Sequence, residues 1–190
     1  DTTLYALATS GTSLFVGSGG RGVWRSTDNG TTWTCVLWNM SAGGLNIVNT
    51  FAMSGIYVFA GTEGGVYRST NNGASWSSAS AGLPDTKVTA LAASGTNLFA
   101  GVGEIYPGSE GIFLSLNNGT TWTAVNTGLP KNQYGKYPTV SCFAVAGTNV
   151  FAGTFQAGVF LSTNGGATWT SVNEGLPCSN IRSCAVYGTS

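Results

Sequence analysis

Three carboxylates, Glu63, Glu104 and Glu110, are the side chains of this 190-residue sequence best suited to catalysis. Two facing carboxyl groups, one acid and one base or nucleophile, hydrolyse glycosidic bonds. Glu104 and Glu110 sit in one short segment, so their closeness follows from the chain alone. The sequence has no histidine, which excludes a nucleophilic triad of the usual kind. The four cysteines, Cys35, Cys142, Cys178 and Cys184, are not spaced as zinc pairs, so neither a metal site nor a cofactor is expected. Cys178 and Cys184 are close in sequence, and Cys142 and Cys184 fall at matching repeat positions. A disulfide among these three in an oxidising compartment stands beside buried free thiols as the two readings, with Cys35 left over.

Composition narrows the partners. Charged residues make up 7%, with seven basic and seven acidic side chains and zero net charge. A nucleic-acid binder needs a basic footprint, and none exists here. No apolar run is long enough to span a membrane, so membrane insertion is not expected. Asp1 opens on repeat sequence with no signal peptide, which reads as a processed or excised piece. The 29 glycines and the abundant Ser, Thr and Asn fit a turn-rich β protein.

The elements that must position these side chains come from a repeat. Residues 26–33 read Ser-Thr-Asp-Asn-Gly-Thr-Thr-Trp, and the pattern returns at 69–76, 115–122 and 162–169. The serines are 43, 46 and 47 residues apart, a period in the range of repeat architectures. Each repeat reads as four short strands. They are 4–10, 13–17, 22–26 and 32–37; then 48–54, 56–61, 65–69 and 75–78. The third set is 88–94, 97–101, 111–115 and 121–125; the fourth is 140–146, 149–153, 158–162 and 168–172. Aromatic and β-branched residues between Gly and Asn punctuation carry this reading, and short turns such as Gly95-Thr96-Asn97 imply antiparallel hairpins. A Gly-Leu-Pro connector closes three repeats, at Gly82, Gly128 and Gly175, where the proline stops the ladder. The first repeat departs from it, with Gly43-Gly44-Leu45-Asn46. The expected fold is all-β: a β-propeller of four-stranded antiparallel blades, at about 1–44, 45–84, 85–130 and 131–177, in one array over 1–190.

The motif resembles the Asp-box, or BNR, repeat of sialidases, sortilin-type receptors and xyloglucan-cleaving glycoside hydrolases. The resemblance covers nearly the whole chain and implies the propeller fold; for function it spans enzymes, receptors and scaffolds. The residues give the box a structural role. Asp28, Asn71, Asn117 and Asn164 can bond turn backbone groups. Gly30, Gly73, Gly119 and Gly166 supply backbone freedom. Trp33, Trp76, Trp122 and Trp169 start the last strand and bury a ring between sheets. Asn replaces Asp in three copies, which a turn tolerates and an acid or base does not. Asp28-Asn29-Gly30 has too few carboxylates for calcium. The sequons at Asn29, Asn39 and Asn118 include two Asn-Gly turn dipeptides. A sialidase of the family carries an arginine cluster and an Arg-Ile-Pro motif. This sequence has four arginines and no such motif.

In an up-and-down blade the boxes share one face with the first turns, and the loops that differ between repeats share the other. Arg21, Glu63, Asp85, Lys87, Glu104, Glu110, Lys131, Lys136 and Glu174 map to the variable face, while Asp1, Arg25, Asp28, Arg68 and Arg182 do not. Variable loops on a rigid scaffold are where binding concentrates. The expected binding residues are Arg21, Trp38, Glu63, Glu104, Tyr106, Glu110, Tyr134, Tyr137 and Phe155. The partner would be a carbohydrate or a protein. The expected function is a binding or scaffolding module, secreted or exposed on a cell surface, with the periplasm as a further location. The alternatives are a glycoside hydrolase using Glu63, Glu104 or Glu110, and a structural spacer of a larger surface protein. Residues 181–187 match the opening of a repeat, so 178–190 are expected to begin a fifth blade, completed by missing blades or by another chain.

Overall fold

The computed structural model describes residues 3–38, 46–84, 87–103 and 109–186. Asp85, Glu104 and Tyr106, expected on the variable face, lie outside the described residues. All regular structure among the described residues is β. The first blade is β1 (Leu4–Ser10), β2 (Ser13–Gly20), β3 (Val23–Ser26) and β4 (Thr34–Leu37). The second is β5 (Asn46–Ser54), β6 (Tyr57–Thr62), β7 (Gly65–Ser69) and β8 (Ser77–Ser78). The third is β9 (Val88–Ser94), β10 (Asn97–Gly103), β11 (Ser109–Ser115) and β12 (Thr123–Ala124). The fourth is β13 (Val140–Ala146), β14 (Asn149–Thr154), β15 (Gly158–Ser162) and β16 (Thr170–Ser171). Neighbours pair antiparallel in chain order.

Two details depart from the sequence expectation. Strand β2 runs on to Gly20, and its end pairs with β5 at Gly19–Ile47 and Gly20–Asn46. This joins the first two blades into one eight-stranded sheet. The outermost strands β8, β12 and β16 are only two residues long.

A bulge recurs near the start of every first strand. The register shifts between Leu4 and Ala6, Val48 and Thr50, Val88 and Ala90, and Val140 and Cys142. A bulge re-aims one side chain, and here it reaches the next blade. The Asn49 Nδ2 group donates to the Val88 carbonyl at 3.1 Å. The Thr89 hydroxyl donates to the Val140 carbonyl at 2.7 Å. First strands of successive blades pack on each other, β1 on β5, β5 on β9 and β9 on β13.

The core lies between blades. Val48, Val88 and Val140 are fully buried, each against a glycine of the preceding second strand. A Cβ on Gly17 would lie 2.7 Å from Val48, and one on Gly101 2.7 Å from Val140. Gly61 meets Val88 in the same way. Phe15, Phe59 and Phe99 are also fully buried, each under the box glycine of the following blade: Gly73, Gly119 and Gly166. Each such side chain contributes about 1.5–3 kcal/mol of burial, and it does so only across a blade boundary. A blade alone would leave these faces in water.

Residues 178–186 continue the pattern without forming a strand. The Ile181 amide donates to the Thr154 carbonyl at 2.9 Å, and its side chain meets Gly153 as Val88 meets Gly61. Cys142 and Cys184 form a disulfide across 42 residues, which selects one pairing from those the sequence left open. They are not strictly matched: Cys142 is two residues after Val140, and Cys184 is three after Ile181. Cys35 and Cys178 are free.

Candidate binding face

Antiparallel pairing puts the β1–β2 and β3–β4 turns of each blade at one end, and the β2–β3 loops and inter-blade connectors at the other. The first end is built by the repeated motif. The Ser26 hydroxyl accepts the Gly30 amide at 2.8 Å and donates to Asp28 Oδ1 at 2.7 Å. Asp28 Oδ1 accepts the Thr32 amide, and Oδ2 accepts the Thr32 hydroxyl at 2.6 Å. The other copies repeat this with Asn. Asn117 Oδ1 accepts the Thr121 amide and its Nδ2 donates to the Thr121 hydroxyl. Asn71 and Asn164 do the same with Ser75 and Thr168. The hydroxyl reverses its role, so either residue closes the turn. Thr32 and Ser26 hold the Asp28 carboxyl at a pKa of about 2, below its ordinary 3.8. A fixed, ionised acceptor in a turn has no proton to give at neutral pH.

The four tryptophans divide into two pairs. Trp122 and Trp169 are almost fully buried. Their ring N–H groups reach back a blade, to the Ala79 carbonyl at 2.7 Å and the Val125 carbonyl at 2.8 Å. The backbone of each packs on Gly82 or Gly128 of the preceding connector. Trp33 and Trp76 instead donate to the glycine of their own turn, Gly30 and Gly73. Trp33 is 37% exposed. The sequence expectation that all four bury a ring between sheets therefore fails for Trp33. The difference tracks the preceding connector. Trp122 and Trp169 follow a Gly-Leu-Pro connector, and the other two do not.

The opposite end carries the expected binding residues, and the structure separates them into groups. Arg21 lies in the β2–β3 turn of the first blade, its carbonyl accepting the Trp24 ring N–H. Trp38 follows β4 and is 63% exposed. Glu63 is in the second blade, paired with Lys87 at 2.8 Å and accepting from Asn49 Nδ2. Glu110 pairs with Lys136 at 3.1 Å. Both described candidates for a catalytic carboxylate are thus held by lysines.

Tyr137 and Phe155 come together, with Tyr134 and Glu110 on the flank. The connector after the third blade folds into a tight turn: Asn132 Oδ1 accepts the Tyr134 and Lys136 amides. Tyr134 at its tip is 75% exposed. Lys131 stands over the Tyr137 ring, 4.8 Å from its centre, as a cation–π pair does. Pro130, Lys131, Asn132, Lys136, Tyr137 and Pro138 form one wall of a cleft of about 240 Å³, and Phe155, Gln156 and Ala157 form the other. A second cleft of about 240 Å³ adjoins it, lined by Thr139, Ser141, Phe155 and Arg182. Phe155 belongs to both.

The family described as "DUF6242 beta propeller domain" matches residues 1–142, about three quarters of the chain. The chain belongs to this propeller family. Among solved structures, the propeller is similar to an ancestral GH74 enzyme at 22% identity and a TM-score of 0.70, covering 90% of this chain and 24% of that one. It is similar to the GH74 xyloglucanase from Xanthomonas campestris at 17% identity and a TM-score of 0.68, covering 92% and 31%. It is also similar to the extracellular domain of a putative hybrid two component system from B. thetaiotaomicron, at 12% identity and a TM-score of 0.70, covering 98% and 25%. At these identities the likeness is one of fold, and the propeller spans a quarter to a third of each of these chains. No curated protein matches it.

Sequence reasoning passed over three side chains of the Phe155 clefts. The sequence reading sets Lys131 on the variable face without a role. Gln156 carried no signal beyond a β2–β3-type loop one residue longer than in the second blade. The sequence reading sets Arg182 off this face, and the structure puts it beside Phe155. Residues 178–186 follow the path of a first strand without forming one and start at the loop end, so Arg182, next to Ile181, lies there.

Proposed function

We propose that this chain is an Asp-box-type propeller module, secreted or exposed on a cell surface, that binds a glycan or protein partner through its variable loop face. The supporting observation is the contrast between the two ends. The repeated turns close largely on themselves, through bonds such as Gly119 N–H to Ser115 and Thr121 N–H to Asn117, and on neighbouring blades, as Asn72 bonds Ser13. The loop face instead presents exposed aromatics, Trp38 and Tyr134, and two joined clefts around Phe155. Flat apolar rings with polar neighbours suit sugar faces and protein partners. Glu63 and Glu110 are engaged with Lys87 and Lys136, which favours binding over a two-carboxylate hydrolase. The extracellular domain among the similar structures is in keeping with an exposed location.

A glycan array and a pull-down with the wild-type chain and a Trp38→Ala, Tyr134→Ala double variant test the reading. A ligand retained by the wild type and lost by the variant is expected. Ligands that bind both equally, or no ligand at all, would contradict it. Release of reducing sugar that disappears in Glu63→Gln would favour the hydrolase.

A further inference from the structure

We infer that the paired clefts around Phe155 form a subsite for an acidic sugar, a short oligosaccharide whose rings carry carboxylates. The inference rests on the glycan-binding form of the function proposed above and gives it a place and a charge.

Four observations converge. First, the two clefts adjoin and share the Phe155 side chain. At about 240 Å³ each, together they fall within the size of an ordinary small-molecule site, roughly 300–1,000 Å³, and an aromatic ring between two compartments suits a ligand built of two linked rings.

Second, each compartment has its own cation. Lys131 lines one and Arg182 the other. Among the described residues neither has a carboxylate partner, whereas Lys136, the second lysine lining the first cleft, is matched by Glu110. In a chain with zero net charge and only seven basic residues, two unmatched cations in adjoining clefts give a local positive field. Arg in particular takes a carboxylate in two parallel hydrogen bonds.

Third, the cation in the first compartment is held. Lys131 rests on the Tyr137 ring, and Asn132 fixes the turn that follows. Less side-chain freedom is then lost on binding.

Fourth, Phe155 is presented by a strained turn. Gln156 has φ of 68°, a left-handed conformation that a residue other than Gly, Asn or Asp rarely adopts. The Gln156 amide donates to Asn180 Oδ1 at 2.8 Å, and the Phe155 amide donates to the Thr139 carbonyl at 2.8 Å. Backbone strain that surrounding bonds over-determine clusters at ligand sites. The Ser141 hydroxyl, which lines the second cleft, suits a sugar hydroxyl. Strand addition, one mode of peptide recognition, would call for a row of unpaired strand groups, and of the residues lining the clefts only Ser141 lies in a named strand.

The test uses the 190-residue chain and digalacturonic acid as probe, with its dimethyl ester and an Asp/Glu-rich hexapeptide as controls, read by isothermal titration. The acid is expected to bind, with affinity falling as salt rises, and the ester to bind about tenfold more weakly or not at all. Lys131→Ala and Arg182→Ala should each weaken the acid about tenfold, the loss of one charge-assisted contact. Phe155→Ala should abolish binding. Both cations are on the surface, so the variants should keep the wild-type circular dichroism and melting temperature. Equal binding of acid and ester would overturn the charge assignment. Equal binding of the acidic peptide would overturn the sugar assignment. Acid binding that is indifferent to Lys131→Ala and Arg182→Ala would overturn the location. Absence of acid binding would overturn the inference as a whole. A neutral glycan lost on Trp38→Ala with Tyr134→Ala would leave the broader binding reading standing.

Discussion

At residue scale, the repeated motif is a closed hydrogen-bond circuit, and its members differ in what they cost to lose. Ser115 is fully buried and its hydroxyl accepts the Gly119 and Asn117 amides while donating to Asn117. Ser115→Ala leaves the buried Gly119 amide without an acceptor, and chemical denaturation should show a loss of about 1–3 kcal/mol. Asp28→Asn should be nearly neutral at pH 7, since three other blades use Asn in that place. The two forms should diverge in acid. The folded pKa of Asp28 is depressed to about 2, so its contribution is complete above the ordinary carboxylate range. That contribution disappears as pH falls through about 2. Melting temperatures followed from pH 5 to pH 2 should therefore fall more steeply in the wild type than in Asp28→Asn. Parallel curves would show that the carboxylate is not held as described. The repeated spacing alone made this circuit legible, because four copies exposed which positions exchange.

At the scale of elements, blades are held by parts that look local in sequence and act on a neighbour. The tryptophans show it best. Trp169→Phe deletes a ring N–H that reaches the Val125 carbonyl, and it should cost about 1 kcal/mol or more of stability. Trp33→Phe removes a bond within one exposed turn and should stay within about 0.5 kcal/mol of wild type. Equal losses would contradict the inter-blade role. Gly101→Ala places a methyl group against buried Val140, and overpacking should cost about 1–3 kcal/mol. Strand identity and order were readable from the apolar runs and the Gly and Asn punctuation. The shortened outer strands and the β2–β5 join were not. The join depends on which neighbouring blade offers a partner, and a single repeat does not contain that information.

At the scale of the whole molecule, the blades form an array whose two ends differ. The first presents Tyr5 and Leu7 at 54% and 71% exposure. At the other, the Cys142–Cys184 disulfide ties residues 178–186 to the fourth blade. Cys184→Ser should lower stability by about 2–4 kcal/mol and open this segment to proteolysis. The fold was legible from period and composition because both are global properties of the chain. The candidate site was legible only in part. Aromatic residues in variable loops pointed to Tyr137 and Phe155, while the role of Arg182 depends on a chain reversal that joins residues far apart in sequence.

The central claim is that the loop face binds and the repeated-turn face builds. Chemical-shift mapping of the labelled chain against a ligand identified on the glycan array tests it most directly. The account predicts shifts gathered at 130–138, 155–157 and Arg182, with residues 26–33, 69–76, 115–122 and 162–169 unmoved. Shifts centred on those turns would contradict it.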